Sequence, residues 1–247
     1  MSRLPSHLVP RFPGGAPERW RVLDLSYAVS DALPQWPGDS NSFHVEHISR
    51  IEEDGFFARS FWMLEHYGTH LDAPAHFVAG GATAEQIPVE RLLGPAVVLD
   101  VREFAASNPD YELDAGRVTA WETQHGRVPR GAIVLLRTGW AERWPDANRY
   151  RNQDAAGAMH FPGFGPDAAR ILIERGVSGI GCDTMSVDPG RSREYPVHRL
   201  ALGAGLYQIE NLSDLSALPE TGAFLVVAPL KLEGGSGAPC RVFARLP

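Results

Sequence analysis

Four side chains able to bind a metal ion or carry a proton, His66, His70, Asp72 and His76, fall within eleven residues of a chain that has only nine histidines. Imidazole nitrogen combined with carboxylate oxygen suits zinc, manganese or iron better than calcium or magnesium, which take all-oxygen shells. A helix would set His66 beside His70 and Asp72 beside His76, but Gly68, Thr69 and Pro74 make this stretch a poor helix. In an extended segment His66, Gly68, His70 and Asp72 share one face, while Tyr67, Thr69 and Leu71 share the other. His70 and Asp72 then stand about 6.6 Å apart at the backbone, close enough to reach one ion, whereas a straight strand puts His66 roughly 13 Å from His70. Metal bonds of about 2 Å therefore require a bend, and Gly68 is the residue that can supply it. His76 lies beyond Pro74, which redirects the chain; it can stand near the ion without binding it and act as a general acid or base. The pair in His44-Val45-Glu46-His47 reads as part of a surface strand, and His7, His125 and His160 are isolated.

The elements that must position this segment can be read from periodicity and breakers. Residues 1–19 hold four prolines and Gly14-Gly15, the composition of an arm that could wrap a neighbouring subunit, and residues 20–247 read as one domain. Strands are expected over Arg21 to Tyr27, Phe43 to Ile51, Arg59 to His66, Pro95 to Val101, Ala132 to Thr138, Gly179 to Cys182, Leu206 to Ile209, Phe224 to Ala228 and Val242 to Ala244. Helices are expected from near Pro88 to a stop at Gly94, over Asp114 to His125, and over Pro166 to Arg175 with Gly176 as its cap. Strands outnumber helices without alternating strictly with them, so the expected fold is α/β, a single domain with a mixed β-sheet core flanked by helices.

With 30 acidic against 23 basic residues, a formal charge of -7 and no dense Lys/Arg run, nucleic acid is excluded as a partner. Cys182 and Cys240 form neither a C-x-x-C pair nor a disulfide framework and read as thiols of a reducing compartment. Neither a signal peptide nor an apolar run of membrane-spanning length is present, so a cytoplasmic protein with no membrane partner is expected.

Residues 66–77 contain H-x-G-T-H-x-D-x-P-x-H-F with every fixed position occupied, and here the chain resembles the cyclase-like metal hydrolases, which include the bacterial kynurenine formamidases and the isatin hydrolases. The resemblance spans roughly residues 21–246 and implies the formamidase fold, a swivelling β/β/α arrangement. It implies His66, His70 and Asp72 as ligands of a first ion. His198 and Glu210, a histidine and a glutamate twelve residues apart as in the formamidases, would be further ligands, with His76 the proton carrier and Trp36 in the substrate site. The cofactor implied is a divalent metal, Zn or Mn: two ions per chain on the formamidase pattern, one on the isatin hydrolase pattern. The partners implied are a small-molecule substrate and further copies of the chain, as a dimer or tetramer. Asp183 and Asp188 read equally as supports for ligating histidines and as turn residues. The stretch Trp140 to Gly165 exceeds the compact formamidases and could reshape the pocket.

The chemistry expected is hydrolysis of an amide by metal-activated water, with His76 protonating the leaving nitrogen. N-formylkynurenine is the first substrate expected, giving kynurenine and formate; the alternative is ring opening of isatin or another cyclic amide, imide or lactone. Trp36, Phe56, Phe57, Trp62, Phe77 and Phe161 suit either a flat substrate or a core. No G-x-S-x-G elbow supports a serine hydrolase, and Gly163-Phe164-Gly165-Pro166-Asp167-Ala168 lacks the preceding strand a dinucleotide site needs. A catalytically silent metal-binding protein is the alternative from another class.

Overall fold

Parallel strands buried on both faces need apolar residues at every position, and two stretches of this chain supply them. In the computed structural model, which describes residues 21–39, 43–144 and 146–247, they lie side by side at the centre of a mixed sheet. In chain order the elements are β1 (Val22–Asp24), β2 (Phe43–Ser49), α1 (Ile51–Asp54), β3 (Ala58–Met63), β4 (His70–Asp72), β5 (Leu93–Asp100), α2 (Arg102–Ser107), β6 (Glu112–Leu113), α3 (Ala115–His125) and β7 (Ile133–Arg137). They continue with α4 (Ala147–Arg151), β8 (Gly163–Phe164), α5 (Pro166–Arg175), β9 (Gly179–Cys182), α6 (Pro196–Gly203), β10 (Tyr207–Glu210), β11 (Phe224–Pro229) and β12 (Gly237–Arg245). The main sheet runs β1-β12-β11-β5-β7-β9-β10-β4, and a further pairing of β12 with β4 closes it into a barrel. β5, β7, β9 and β10 are parallel neighbours, and the remaining pairs are antiparallel, so the mixed sheet expected from the sequence is present.

Alternation along the central strands divides the core. Ala96, Val98, Ile133 and Leu135 point into the barrel with Leu71, Ile209 and Val242. Val97, Leu99, Val134 and Leu136 point outward onto Val118, Leu172 and Ala201 of α3, α5 and α6. Residues on opposite faces of one strand thus serve two hydrophobic layers, and this double burial holds β4 and β10 in place at the barrel rim.

Most expected elements are present, α5 with the predicted bounds and its cap at Gly176 (φ 71). One expectation fails: the helix near Pro88 is only a 3-10 turn over Val89–Leu92. Gly94 does not stop a helix; it lies inside β5, where a Cβ would stand 2.6 Å from the Gly131 carbonyl oxygen, so this glycine permits close strand packing. The expected N-terminal arm, residues 1–19, lies outside the described residues.

β2 and β3 form a separate two-stranded sheet, and Ile48, Phe61 and Trp62 on its strands and Ile51, Phe56 and Phe57 in the connection between them are all more than half exposed. The expectation of His44 and His47 on a surface strand holds, whereas Phe56, Phe57 and Trp62 line neither the core nor the site pocket.

Candidate metal centre

The bend required at Gly68 is present. Its φ of 67 lies in the left-handed region that glycine tolerates, and it brings the His66 and His70 rings to 5.2 Å between centroids. The Asn211 Nδ2–H donates to the Gly68 carbonyl oxygen (3.0 Å), which also accepts from His70 Nδ1 at 2.9 Å. With Nδ1 donating to the backbone, His70 presents Nε2 to the centre, 3.3 Å from Asp72 Oδ1 and 3.6 Å from Glu210 Oε2. Thr69 faces the other way, as alternation requires, and its hydroxyl donates to the Asn211 carbonyl oxygen.

β10 runs antiparallel to β4 with Glu210 directly opposite His70, so the barrel itself brings this distant carboxylate to the motif. His198 arrives on α6, where Pro196 opens a helix whose inner face buries Val197, His198, Ala201 and Leu202. Asp188 caps that helix, accepting from the backbone N–H of Val197 and of His198, and it also binds His198 Nδ1 at 2.6 Å. His198 Nε2 is left facing Asp72 Oδ2 at 3.4 Å and Glu210 Oε1 at 3.3 Å. Of the two aspartates flagged by the sequence, Asp188 supports a histidine, whereas Asp183 accepts from Thr138 and Gly139 and reaches none.

His76 closes the short 3-10 turn that Pro74 begins, and its ring stacks on His66 at 4.0 Å. His66, Asp72 and His76 form one group able to hold a cation, and His70, Asp72 and Glu210 form another, each with ligand atoms within 4.8 Å of one another. Asp72 belongs to both. Its Oδ1 is also 2.6 Å from His66 Nδ1, and its buried Oδ2 has no hydrogen-bond donor. A buried carboxylate oxygen without a donor costs free energy unless a cation satisfies it, and the mixed imidazole and carboxylate set is one that zinc or manganese accepts. The residues present therefore fit a divalent metal.

Charge ties the cluster together. Burial works against ionising Asp72, but the His66 and His70 rings beside it hold its carboxyl well below the ordinary range. Burial likewise opposes a charged His70, yet Asp72 and Glu210 push it up to about 9, and Asp188, Asp72 and Glu210 raise His198 in the same way. His76 moves oppositely, to about 4, because partial burial and the neighbouring His66, His198 and His70 rings disfavour a further positive charge despite Asp72. At neutral pH His76 is thus a proton acceptor.

The centre opens into a cavity of about 580 Å³ lined by Trp36, Phe77, Met185 and Tyr195 besides the polar residues. Trp36, singled out in the sequence, stands 6.4 Å from Tyr195 and packs against the cluster formed by Trp140, Tyr150, Met159, Phe161 and Met185, so the stretch Trp140 to Gly165 backs this wall. Phe161 is fully buried there and belongs to the core. Tyr195, which the sequence reading missed, holds a left-handed backbone (φ 49) at the mouth of α6; its position just before Pro196 was the available signal.

The cyclase family model, described as "Putative cyclase", matches residues 23–189. Isatin hydrolase from Roseibium aggregatum is 34% identical over 236 residues, covering 92% of this chain and 89% of its own length. Kynurenine formamidase from Salinibacter ruber is 31% identical over 230 residues, covering 91% and 97%. Among solved structures, isatin hydrolase A from Labrenzia aggregata bound to benzyl benzoate superposes with a TM-score of 0.85 at 38% identity, covering 92% of this chain and 93% of that one. A fold, a fingerprint and a full-length likeness to named hydrolases agree, and the chain belongs to the cyclase family.

Proposed function

We propose that the chain is a metal-dependent amidohydrolase that cleaves a C–N bond joining a carbonyl to an aromatic ring system, and that it opens cyclic aryl amides of the isatin type. The observation that carries the hydrolytic reading is Asp72, buried, ionised and with Oδ2 undonated, at the meeting point of two groups able to hold a cation. His66, His70 and Asp72 would hold a divalent ion, with His198 and Glu210 available for a second, and the ion would supply the Lewis acidity that polarises a carbonyl and acidifies water. His76 takes the proton from the attacking water and returns it to the leaving nitrogen as the C–N bond breaks; overall, one water adds across one amide. Trp36, Phe77 and Tyr195 hold a flat ring against the centre. The ring-opening reading is supported by the 38% identity and TM-score of 0.85 to isatin hydrolase A.

A formamidase acting on N-formylkynurenine is the second reading, favoured by His198 and Glu210 converging at 3.3 Å as that family's paired ligands would. Turnover of the zinc- or manganese-loaded protein on isatin, N-formylkynurenine and simple aryl lactones separates the two. Isatin should give kcat/KM at least about tenfold above N-formylkynurenine, roughly the discrimination that fit to an apolar pocket supplies. The reverse order would favour the formamidase, and inertness on all three with metal bound would leave a silent metal-binding protein.

We also propose a homo-oligomer. The exposed apolar hairpin β2–β3 supports it, because two-stranded sheets are marginal alone and patches of this kind mark interfaces. Light scattering should give a multiple of 27.0 kDa, and a monomer mass would refute this.

A further inference from the structure

His66 differs from the other histidines of the centre in how its outer nitrogen is held. His70 binds a backbone carbonyl of its own turn and His198 an aspartate ten residues away, whereas His66 Nε2 lies 2.9 Å from Ser236 Oγ, on the far side of the sequence. The Ser236 hydroxyl in turn donates to Glu65 Oε2 at 2.7 Å. That same carboxylate oxygen accepts from the backbone N–H of Ser236 at 2.8 Å and of Gly237 at 3.3 Å. The one hydroxyl hydrogen of Ser236 is therefore committed to Glu65. The serine oxygen can only accept from His66, so Nε2 carries a hydrogen, and Nδ1, which donates to Asp72 Oδ1 at 2.6 Å, is the nitrogen that faces the centre.

The backbone around this chain of bonds is built to close tolerances. The Ala73 N–H donates to the Ser236 carbonyl oxygen at 2.9 Å, and Gly237 pairs with Asp72 across the closing seam of the barrel. A Cβ on Gly237 would stand 2.5 Å from His66 Cε1 and 2.6 Å from the Leu71 carbonyl oxygen, so only glycine lets β12 lie this close to the ring. The start of β12 thus grips His66 by its edge and from outside the cation groups.

We infer that Glu65 and Ser236 are positioning residues that keep a hydrogen on His66 Nε2 and fix the orientation of the ring, Glu65 acting through Ser236, so that Nδ1 faces the centre before any ion arrives. The inference rests on the proposed metal-dependent function for its consequence but not for its geometry. Outer partners of ligating histidines commonly hold about 10- to 100-fold of metal affinity.

The test measures Mn²⁺ and Zn²⁺ affinity by calorimetry on the full chain, wild type against Ser236→Ala, Ser236→Thr and Glu65→Gln. It is paired with nitrogen-15 NMR of the His66 side chain in chelator-treated protein. Ser236→Ala should weaken binding about 10- to 100-fold, with the metal-free Tm unchanged and the His66 Nε2–H resonance lost. Ser236→Thr, which keeps the hydroxyl, should restore both, and Glu65→Gln added to Ser236→Ala should cost nothing further, since the two act in one line. Wild-type affinity in Ser236→Ala, or a wild-type ring whose Nε2 carries no hydrogen, overturns the inference. So does a metal-free Tm that falls in Ser236→Ala with the Nε2–H resonance retained. If the wild type hydrolyses none of the amides but keeps the Nε2–H resonance until Ser236 is replaced, the proposed function fails and the positioning role stands.

Discussion

Asp72→Ala should strip the chain of its metal and lower turnover by at least about a thousandfold, since the roughly 4 kcal/mol involved is the scale of a Lewis acid's contribution. The expectation follows from position. Asp72 is shared by both cation groups, lies 2.6 Å from His66 and 3.3 Å from His70 through Oδ1, and faces His198 through Oδ2. It is also the buried negative charge that keeps His70 and His198 high; without it the imidazoles repel both one another and an incoming cation. Elemental analysis of wild type and variant purified without added metal is the check. Two ions per wild-type chain would match the formamidase pattern and one the isatin hydrolase pattern, and an Asp72→Ala protein that retains its metal would refute the site as drawn.

His76→Ala should keep the metal and still lose about a hundred- to ten-thousand-fold in kcat, the usual worth of a positioned proton carrier. His76 reaches the pocket from the rim, stacks on His66, and is held neutral at pH 7 by burial and by its histidine neighbours, which readies it to take a proton from water. Because it also falls within one cation group with His66 and Asp72, metal content decides between two roles. A variant that loses its ion would make His76 a ligand, and one that stays active with the ion bound would remove it from the mechanism altogether.

The quartet was legible in the sequence because its geometry is local. Gly68 alone can take the left-handed turn that bends His66 back, the two-residue period of a strand sets His70 and Asp72 on one face, and Pro74 turns the chain before His76. Buried strands such as Ile133–Arg137 and the capped helix Pro166–Arg175 were legible for the same reason, since their apolar pattern and end signals lie within a few residues. The failure at Gly94 shows the limit: a glycine that ends a helix and a glycine that admits a neighbouring strand read alike until Gly131 is known to lie against it.

Where His198, Glu210 and Ser236 stand was decided by tertiary structure. Glu210 meets His70 because β10 pairs with β4, His198 faces Asp72 and Glu210 because α6 is capped by Asp188, and Ser236 meets His66 because β12 closes the barrel on β4. The Glu210, His198 and Ser236 contacts with the motif join segments far apart in the chain, whose ends come together only when burial of two hydrophobic layers offsets the entropy of closing the loops between them. The residue types and local bends of the quartet are thus written in eleven consecutive positions, while the charge balance, the fixed ring orientations and the aromatic wall of the centre exist only once the barrel has closed.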